Sequence, residues 1–408
     1  MENVSKKIIA YNSGRLPDML QLKYKAMTEN LFRFYRGTNH LFCESIKTFP
    51  LPTSPVAWLS GDLHLENFGS FKSDNRLVYF DLNDFDEAVL GPVSYELLRM
   101  TTSIFIAFEV LQIEQKRALN MAQLFLKNYS KVLAKGKTNY IEPHTAKGIV
   151  CEFLTKASKR NLKSILKKRT EQKKHRQLAL DDPRHFKLPK SFKKELFEHI
   201  VIWLKHDGDS PYNYSPIDAV FRLAGTGSIG LKRYVILLKS SNNTGEKYLL
   251  IDMKQSDAPA WKPCIHTKQP HWASEAERII KIQQRMQNRP PALLSATIFK
   301  DNPFVIQEMQ PTEDSINFNL IKEEYRNMYQ VIDDMAMLTA SSHLRSSGQQ
   351  GSCITDTLIA FGLQENWQEI ILQSAVKYTQ QVKSDYTLYL NDYKKGIFTG
   401  KKSNTKST

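Results

Sequence analysis

Between residues 216 and 311 the apolar residues stop recurring every three or four positions and instead alternate or run together. The runs 217–223, 232–239 and 247–253 are dense in β-branched and aromatic residues and read as three strands, with Gly245 in the turn between the last two. A helix over 273–288 and strands near 294–300 and 303–309 complete the block. On either side the pattern is helical: over 1–48, over 94–136 with a break near Gln112, and from 320 to about 392. Pro50, Pro52 and Pro55 close the first helical region, and short apolar strands at 56–60 and 77–81 follow. A strand-rich block inside a helical chain predicts an α+β fold of two lobes. Residues 1–215 form a helical large lobe, 216–311 a strand-rich small lobe, and 312–408 complete the large lobe and end in a frayed tail from Lys394.

Apolar residues make up 41% of the 408, which excludes wholesale disorder. No apolar run approaches the ~18 residues of a bilayer span, and no long apolar stretch follows the N-terminus to suggest a secretory signal. Cys43, Cys151, Cys264 and Cys353 are far apart and form no Cys-x-x-Cys pair, so a reducing cytoplasm is expected. The net charge of +15 is concentrated: residues 156–194 hold 15 Lys/Arg against three acids. That segment reads as a helix and then a Pro-punctuated loop. Its aromatics are too sparse for base stacking. A nucleic-acid partner is therefore disfavoured, and a solvated basic helix or a docking surface for an anionic acceptor fits better.

The acids are patterned too. Residues 60–69 read Ser-Gly-Asp-Leu-His-Leu-Glu-Asn-Phe-Gly, and residues 80–88 read Phe-Asp-Leu-Asn-Asp-Phe-Asp-Glu-Ala. Each follows a short apolar strand. Asp62 and Asn67 suit a hard divalent cation or a hydroxyl to be positioned, and Asp84 supplies the carboxylate that magnesium prefers. Phosphoryl transfer needs such a set: an Asp to orient the nucleophile, with an Asn and an Asp to hold metal on the phosphates. Asp81 and Asp86 would support the metal, and His64 joins Asp62 as a catalytic candidate. Asp62-Leu63-His64 also resembles the opening of a metallophosphoesterase site, but the His-x-His and Gly-Asn-His ligands of that chemistry are absent.

Gly225-Thr226-Gly227-Ser228-Ile229-Gly230 matches G-x-G-x-x-G. The β-like residues after it exclude a dinucleotide fold, in which a helix would follow. Strand–loop–strand is the protein-kinase arrangement, in which the loop covers ATP phosphates. Lys254, on the next strand, stands where a kinase grips the α- and β-phosphates. The helix 273–288 offers Glu275 or, preferably, Glu277 as its ion-pair partner. Glu308, Met309 and Gln310 read as a hinge whose backbone would bond the adenine edge.

In an ordinary kinase the glycine loop precedes the catalytic motifs; here it follows them. Joining the end of this chain to its start restores kinase order, so a circular permutation is predicted.

Arg15-Leu16-Pro17, Phe34-Tyr35-Arg36-Gly37, the two acidic stretches, the glycine loop and Ala340-Ser341-Ser342-His343 together resemble the bacterial domain of unknown function 2252 family over roughly 8–390. The family is grouped with kinase-like proteins. Its first acidic motif is similar to the His-Gly-Asp-x-His-x-x-Asn of aminoglycoside and choline kinases, which implies Asp62 as catalytic base and Asn67 as metal ligand. The second is similar to their Asp-Phe-x-x-Ala-x-x-Gly-Asp-Pro, which implies Asp84 as the second ligand. Two departures stand out: Ser60 replaces the His that braces the loop in those kinases, and Lys281 replaces a Glu usual on the candidate C-helix. The expectation is a phosphotransferase using ATP and Mg²⁺ on a hydroxyl of an unidentified small-molecule or protein acceptor. A nucleotidyl (AMP) transferase and a nucleotide-binding pseudokinase are the alternatives.

Overall fold

The computed structural model describes residues 3–172, 175–180, 184–206, 211, 213–242, 247–309 and 314–399. The turn at Gly245 and the hinge candidate Gln310 lie outside these residues.

The chain is a mixed α+β protein built on a six-stranded antiparallel sheet. In spatial order the strands are Ser295–Phe299, Asn302–Glu308, Tyr248–Gln255, Arg233–Ser240, Tyr214–Arg222 and His185–Lys187. The register places Lys254 opposite both Arg233 and Val305. Side chains alternate across a strand, so each strand has two fates. Tyr234, Ile236, Leu238, Ile251 and Met253 bury one face against Leu196, Ile200 and Trp203 of helix Lys190–His206. Val220, Val235, Leu237 and Leu250 bury the other.

The sheet layer begins earlier than the sequence reading placed it. The edge strand His185–Lys187 and helix Lys190–His206 belong to it, well before residue 216. The basic segment also departs from a helix and loop. After helix Leu162–Arg169 it forms a ribbon, Thr170–Gln172 paired with Arg176–Leu178.

The remaining core is helical. Helix Val93–Val110 has Leu, Ile and Phe around its whole circumference and is buried on nearly every side, as an all-round apolar helix must be. It ends before Gln112, which takes a left-handed φ of 58°, and helix Gln115–Lys135 follows. Helices Tyr325–Arg345 and Asn366–Lys394 pack with these two. Up to residue 399 the chain stays packed, with Phe398 buried against Tyr24 and Tyr389.

Two small antiparallel pairs carry the acidic motifs. Val56–Leu59 pairs with Val89–Pro92, and Phe68–Lys72 pairs with Val78–Leu82. The pairings hold the connecting stretches 60–67 and 83–88 side by side, tied by Asn83 N donating to Asn67 O at 3.0 Å.

Candidate functional site

The two acidic stretches cross at Gly61. Its φ is +83°, and a Cβ there would sit 1.9 Å from the Glu87 carbonyl oxygen, so only glycine lets the strands approach. The Gly61 carbonyl accepts from Trp261 Nε1 at 2.6 Å and Asn39 Nδ2 at 3.2 Å.

Helix Val93–Val110 supports the first stretch from beneath with two charged residues one turn apart. Glu96 Oε1 accepts from Ser60 Oγ at 2.5 Å and Gly61 N at 3.1 Å. Glu96 Oε2 meets His343 Nε2 at 2.8 Å, and His343 Nδ1 meets the Tyr129 hydroxyl at 2.8 Å. Arg99 bonds Asp62 Oδ1 through Nε at 2.8 Å and Nη2 at 2.7 Å, and its guanidinium stacks 3.6 Å over Tyr35. Loss of hydration lifts the Asp62 carboxyl to about 6, although Arg99 draws it back down. Asn67 Nδ2 donates to the Asp62 carbonyl at 2.6 Å.

His64 is buried beside Arg36, whose Nε lies 3.2 Å from His64 Nε2, while His64 Nδ1 faces Glu66 N at 3.2 Å. Burial first, then Arg36 and Arg99, hold the ring well below its ordinary titration range. A neutral imidazole offers one acceptor nitrogen, so it serves one of these donors at a time.

From the sheet, Lys254 Nζ forms an ion pair with Asp86 Oδ2 and lies 3.9 Å from Asp84 Oδ1. Burial opposes the charge on Lys254, but Asp84 and Asp86 together raise it above the usual lysine value. Asp86 itself is raised by burial and by Asp84. Glu87, which borders the same cleft, is lifted to about 7 by lost hydration and the nearby Asp62. Its Oε2 accepts from Ala260 N at 2.5 Å.

The glycine turn closes over this cleft. Gly225, Gly227 and Ser228 line it together with Asp62, His64, Asp84, Asp86 and Glu87. The turn is held by the N-terminal segment: Arg15 Nη1, between the first two helices, donates to the carbonyls of Gly227 (2.5 Å) and Ile229 (2.9 Å), and Lys23 Nζ, on the second, to Gly227 (3.0 Å). Gly230 needs its positive φ of +97°, with Arg15 Cβ 2.9 Å from where a side chain would start. Thr226 is buried and lies toward the groove on the other side of the turn.

Four expected residues are placed elsewhere. Glu277 is not the partner of Lys254. Ser274 caps helix Glu275–Met286 by accepting from Glu277 N, and Glu277 reaches back to Ala273 N at 2.6 Å, which spends its carboxylate in a capping box. Arg278 makes the connection instead, donating to the carbonyls of Asp86 (2.8 Å) and Ala88 (2.6 Å). Asp81 turns away from the cleft and accepts from Leu82 N and Asn288 N. The hinge amides are also spent: Glu308 N donates to Ala292 O at 3.0 Å and Met309 N to Leu250 O at 2.8 Å. The Glu308 carboxylate pairs with Arg76.

Glu96, Arg99, Arg15 and Lys23 carry contacts that the motif reading did not assign. One signal was available: the two charges inside the buried stretch of this helix, Glu96 and Arg99, must be paired.

Among the described residues no three His, Cys, Asp or Glu side chains converge as a metal cage. None of their helices is long and apolar enough to cross a membrane. The sequence profile of a family described as "uncharacterized protein conserved in bacteria (DUF2252)" matches residues 15–392, and the chain belongs to that family. Comparison with curated proteins and with solved structures finds no match.

Proposed function

We propose that the cleft is a phosphoryl-transfer site and the chain a circularly permuted, kinase-like phosphotransferase. The observation that carries this reading is the meeting of Lys254 with Asp86 and Asp84 beneath the glycine turn, although Lys254 is some 170 residues further along the chain. The order of the sheet supports it: strand, glycine turn, strand, Lys254 strand, helix, then two strands. Helix Tyr325–Arg345 supports the permutation, because its His343 reaches Glu96 directly under the Asp62 loop.

In this reading Asp62 accepts the proton of an acceptor hydroxyl while Arg99 fixes its carboxylate. Lys254 and the amides of the glycine turn neutralise phosphate charge. His64 and Glu96 position the loop. Magnesium is commonly bound by one or two carboxylates plus substrate phosphates rather than a full protein cage. Asp84, Asp86 and the Asn67 Oδ1 fit that role, and the ion would offset charge on the transferring group. Asp81 does not fit it.

The test is Mg²⁺-dependent ATP turnover by the purified chain across a panel of hydroxyl acceptors, with Asp62→Asn as control. Mass spectrometry of the product separates phosphoryl from AMP transfer. Absence of turnover with retained ATP binding would favour a nucleotide-binding pseudoenzyme.

A further inference from the structure

The face of the sheet that carries Lys254 is already covered by the chain itself. Alternation along its strand puts Asp252 and Leu250 on the same side as Lys254. The residues opposite them on the next strand are Arg233, Val235 and Leu237, and Val220 faces Val235 beyond that. Next to Lys254 this surface is ionic: Asp252 accepts from Arg233 Nε at 2.8 Å and Arg222 Nη1 at 3.2 Å. Further along it is apolar and buried. Val220, Val235, Leu237, Leu250 and Met309 form one cluster with Leu166 and Leu178.

Those last two residues come from the basic segment, Leu166 on helix Leu162–Arg169 and Leu178 on strand Arg176–Leu178. The segment is fastened to the same face. Leu178 N donates to Asp218 Oδ2 at 2.7 Å, and the Arg176 guanidinium lies 4.9 Å over the Tyr248 ring.

Leu250 is four residues from Lys254, about 13 Å along the strand. That is the reach of an extended nucleoside triphosphate from its phosphates to its base. We propose that helix Leu162–Arg169 and strand Arg176–Leu178 form a built-in plug over the nucleobase half of the cleft, which a nucleotide held by Lys254 must displace. The proposal rests on the phosphoryl-transfer reading and adds its regulation. The positive charge of the segment then has a use beyond solubility, since a released basic strand is free to meet an anionic partner.

Hydrogen exchange of the full chain, with and without a non-hydrolysable ATP analogue and Mg²⁺, tests it. Exchange in peptides covering 162–169 and 176–178 should rise on binding. The variant Leu166→Ser/Leu178→Ser should bind the analogue about tenfold more tightly, because a larger fraction of molecules is open. Binding with unchanged exchange in those peptides overturns the plug and leaves phosphoryl transfer standing, with the base placed in the groove of Leu223, Ile229 and Phe318. Absence of binding by both proteins ends the phosphoryl-transfer reading, and the plug with it. If the variant fails to fold, the exchange measurement on the unaltered chain still decides.

Discussion

The Ser60 hydroxyl donates to Glu96 Oε1 at 2.5 Å, across 36 residues of sequence. The bond braces the Asp62 loop from the helix beneath it. Glu96 grips the loop through Ser60 and Gly61 and is itself held by His343, which Tyr129 holds in turn. All four side chains are buried.

Removing the carboxylate therefore strands several polar partners at once. Glu96→Ala should cost about 3 kcal/mol of stability, since a buried network broken at one member leaves the others unpaired. Ser60→Ala should cost about 1 kcal/mol, because Gly61 N and His343 keep their acceptor. Urea denaturation of the two variants measures both. Equal and small losses would mean that the network does not support the loop.

Asp62 and Arg99 give a prediction in pH. If Asp62 works as a base it must be ionised, so turnover should fall as pH drops through about 6. Arg99 pulls that value down, so Arg99→Met should move the acid limb of the profile to higher pH. Asp62→Asn should lose about 10²–10⁴-fold in turnover while nucleotide affinity stays within a few-fold. An acid limb that does not move in the Arg99 variant would remove Asp62 from the proton transfer.

How much of this was legible beforehand depends on the range of the interaction. The strands near Val235 and Leu250 announce themselves through short continuous apolar runs, and the glycine turn and acidic motifs through residue type at short spacing. Glu277 was misread although its own signal was present. Ser274-Glu275-Ala276-Glu277 has the capping-box pattern, and a local bond to a backbone amide four residues away outcompetes a distant lysine. Glu96 and Arg99 could not be assigned because their partners Ser60 and Asp62 lie a hairpin away, and no short-range rule links them. The segment around Leu166 was read as solvated because its lysines outnumber its leucines. The leucines nevertheless find an apolar sheet face that only the folded chain supplies.

Glycines of similar φ should differ sharply in tolerance. Gly61 (φ +83°) faces backbone, with a Cβ site 1.9 Å from Glu87 O, and nothing there can rotate away. Gly348 (φ +69°) has no heavy atom within 4 Å. Gly348→Ala should cost only the left-handed backbone penalty, about 1–2 kcal/mol. Gly61→Ala should prevent soluble folding or lower the melting temperature far more. Thermal melts of the pair separate steric contact from backbone preference.

Glu87 should make the protein's stability depend on pH in the acid-to-neutral range. Its carboxyl titrates near 7 in the folded chain and near its ordinary 4.5 when unfolded. Between those values the folded state binds more protons, so stability falls as pH rises through the window. Glu87→Gln removes the carboxylate charge, and its melting temperature should vary less between pH 5 and pH 7.5 than that of the unaltered chain. Identical slopes would show that Glu87 keeps an ordinary carboxyl.

The ion pair of Lys254 with Asp86 should be coupled in stability but not in nucleotide binding. Lys254→Met leaves Asp84 and Asp86 facing each other without the ammonium that now contacts both. Burial and Asp84 already raise Asp86, and losing the ammonium raises it further, so acidification should recover part of the lost stability. Asp86→Asn relieves the repulsion and should restore much of what Lys254→Met removes. The double-mutant cycle should show a coupling of roughly 0.5–3 kcal/mol. Nucleotide affinity should behave differently. It should fall about tenfold or more in every variant that lacks Lys254, because a phosphate needs the cation itself and not the relief of its neighbours. Calorimetric titration of the four proteins with an ATP analogue and Mg²⁺ distinguishes a lysine that binds phosphate from one that only balances two aspartates. In the second case affinity would be the same in all four.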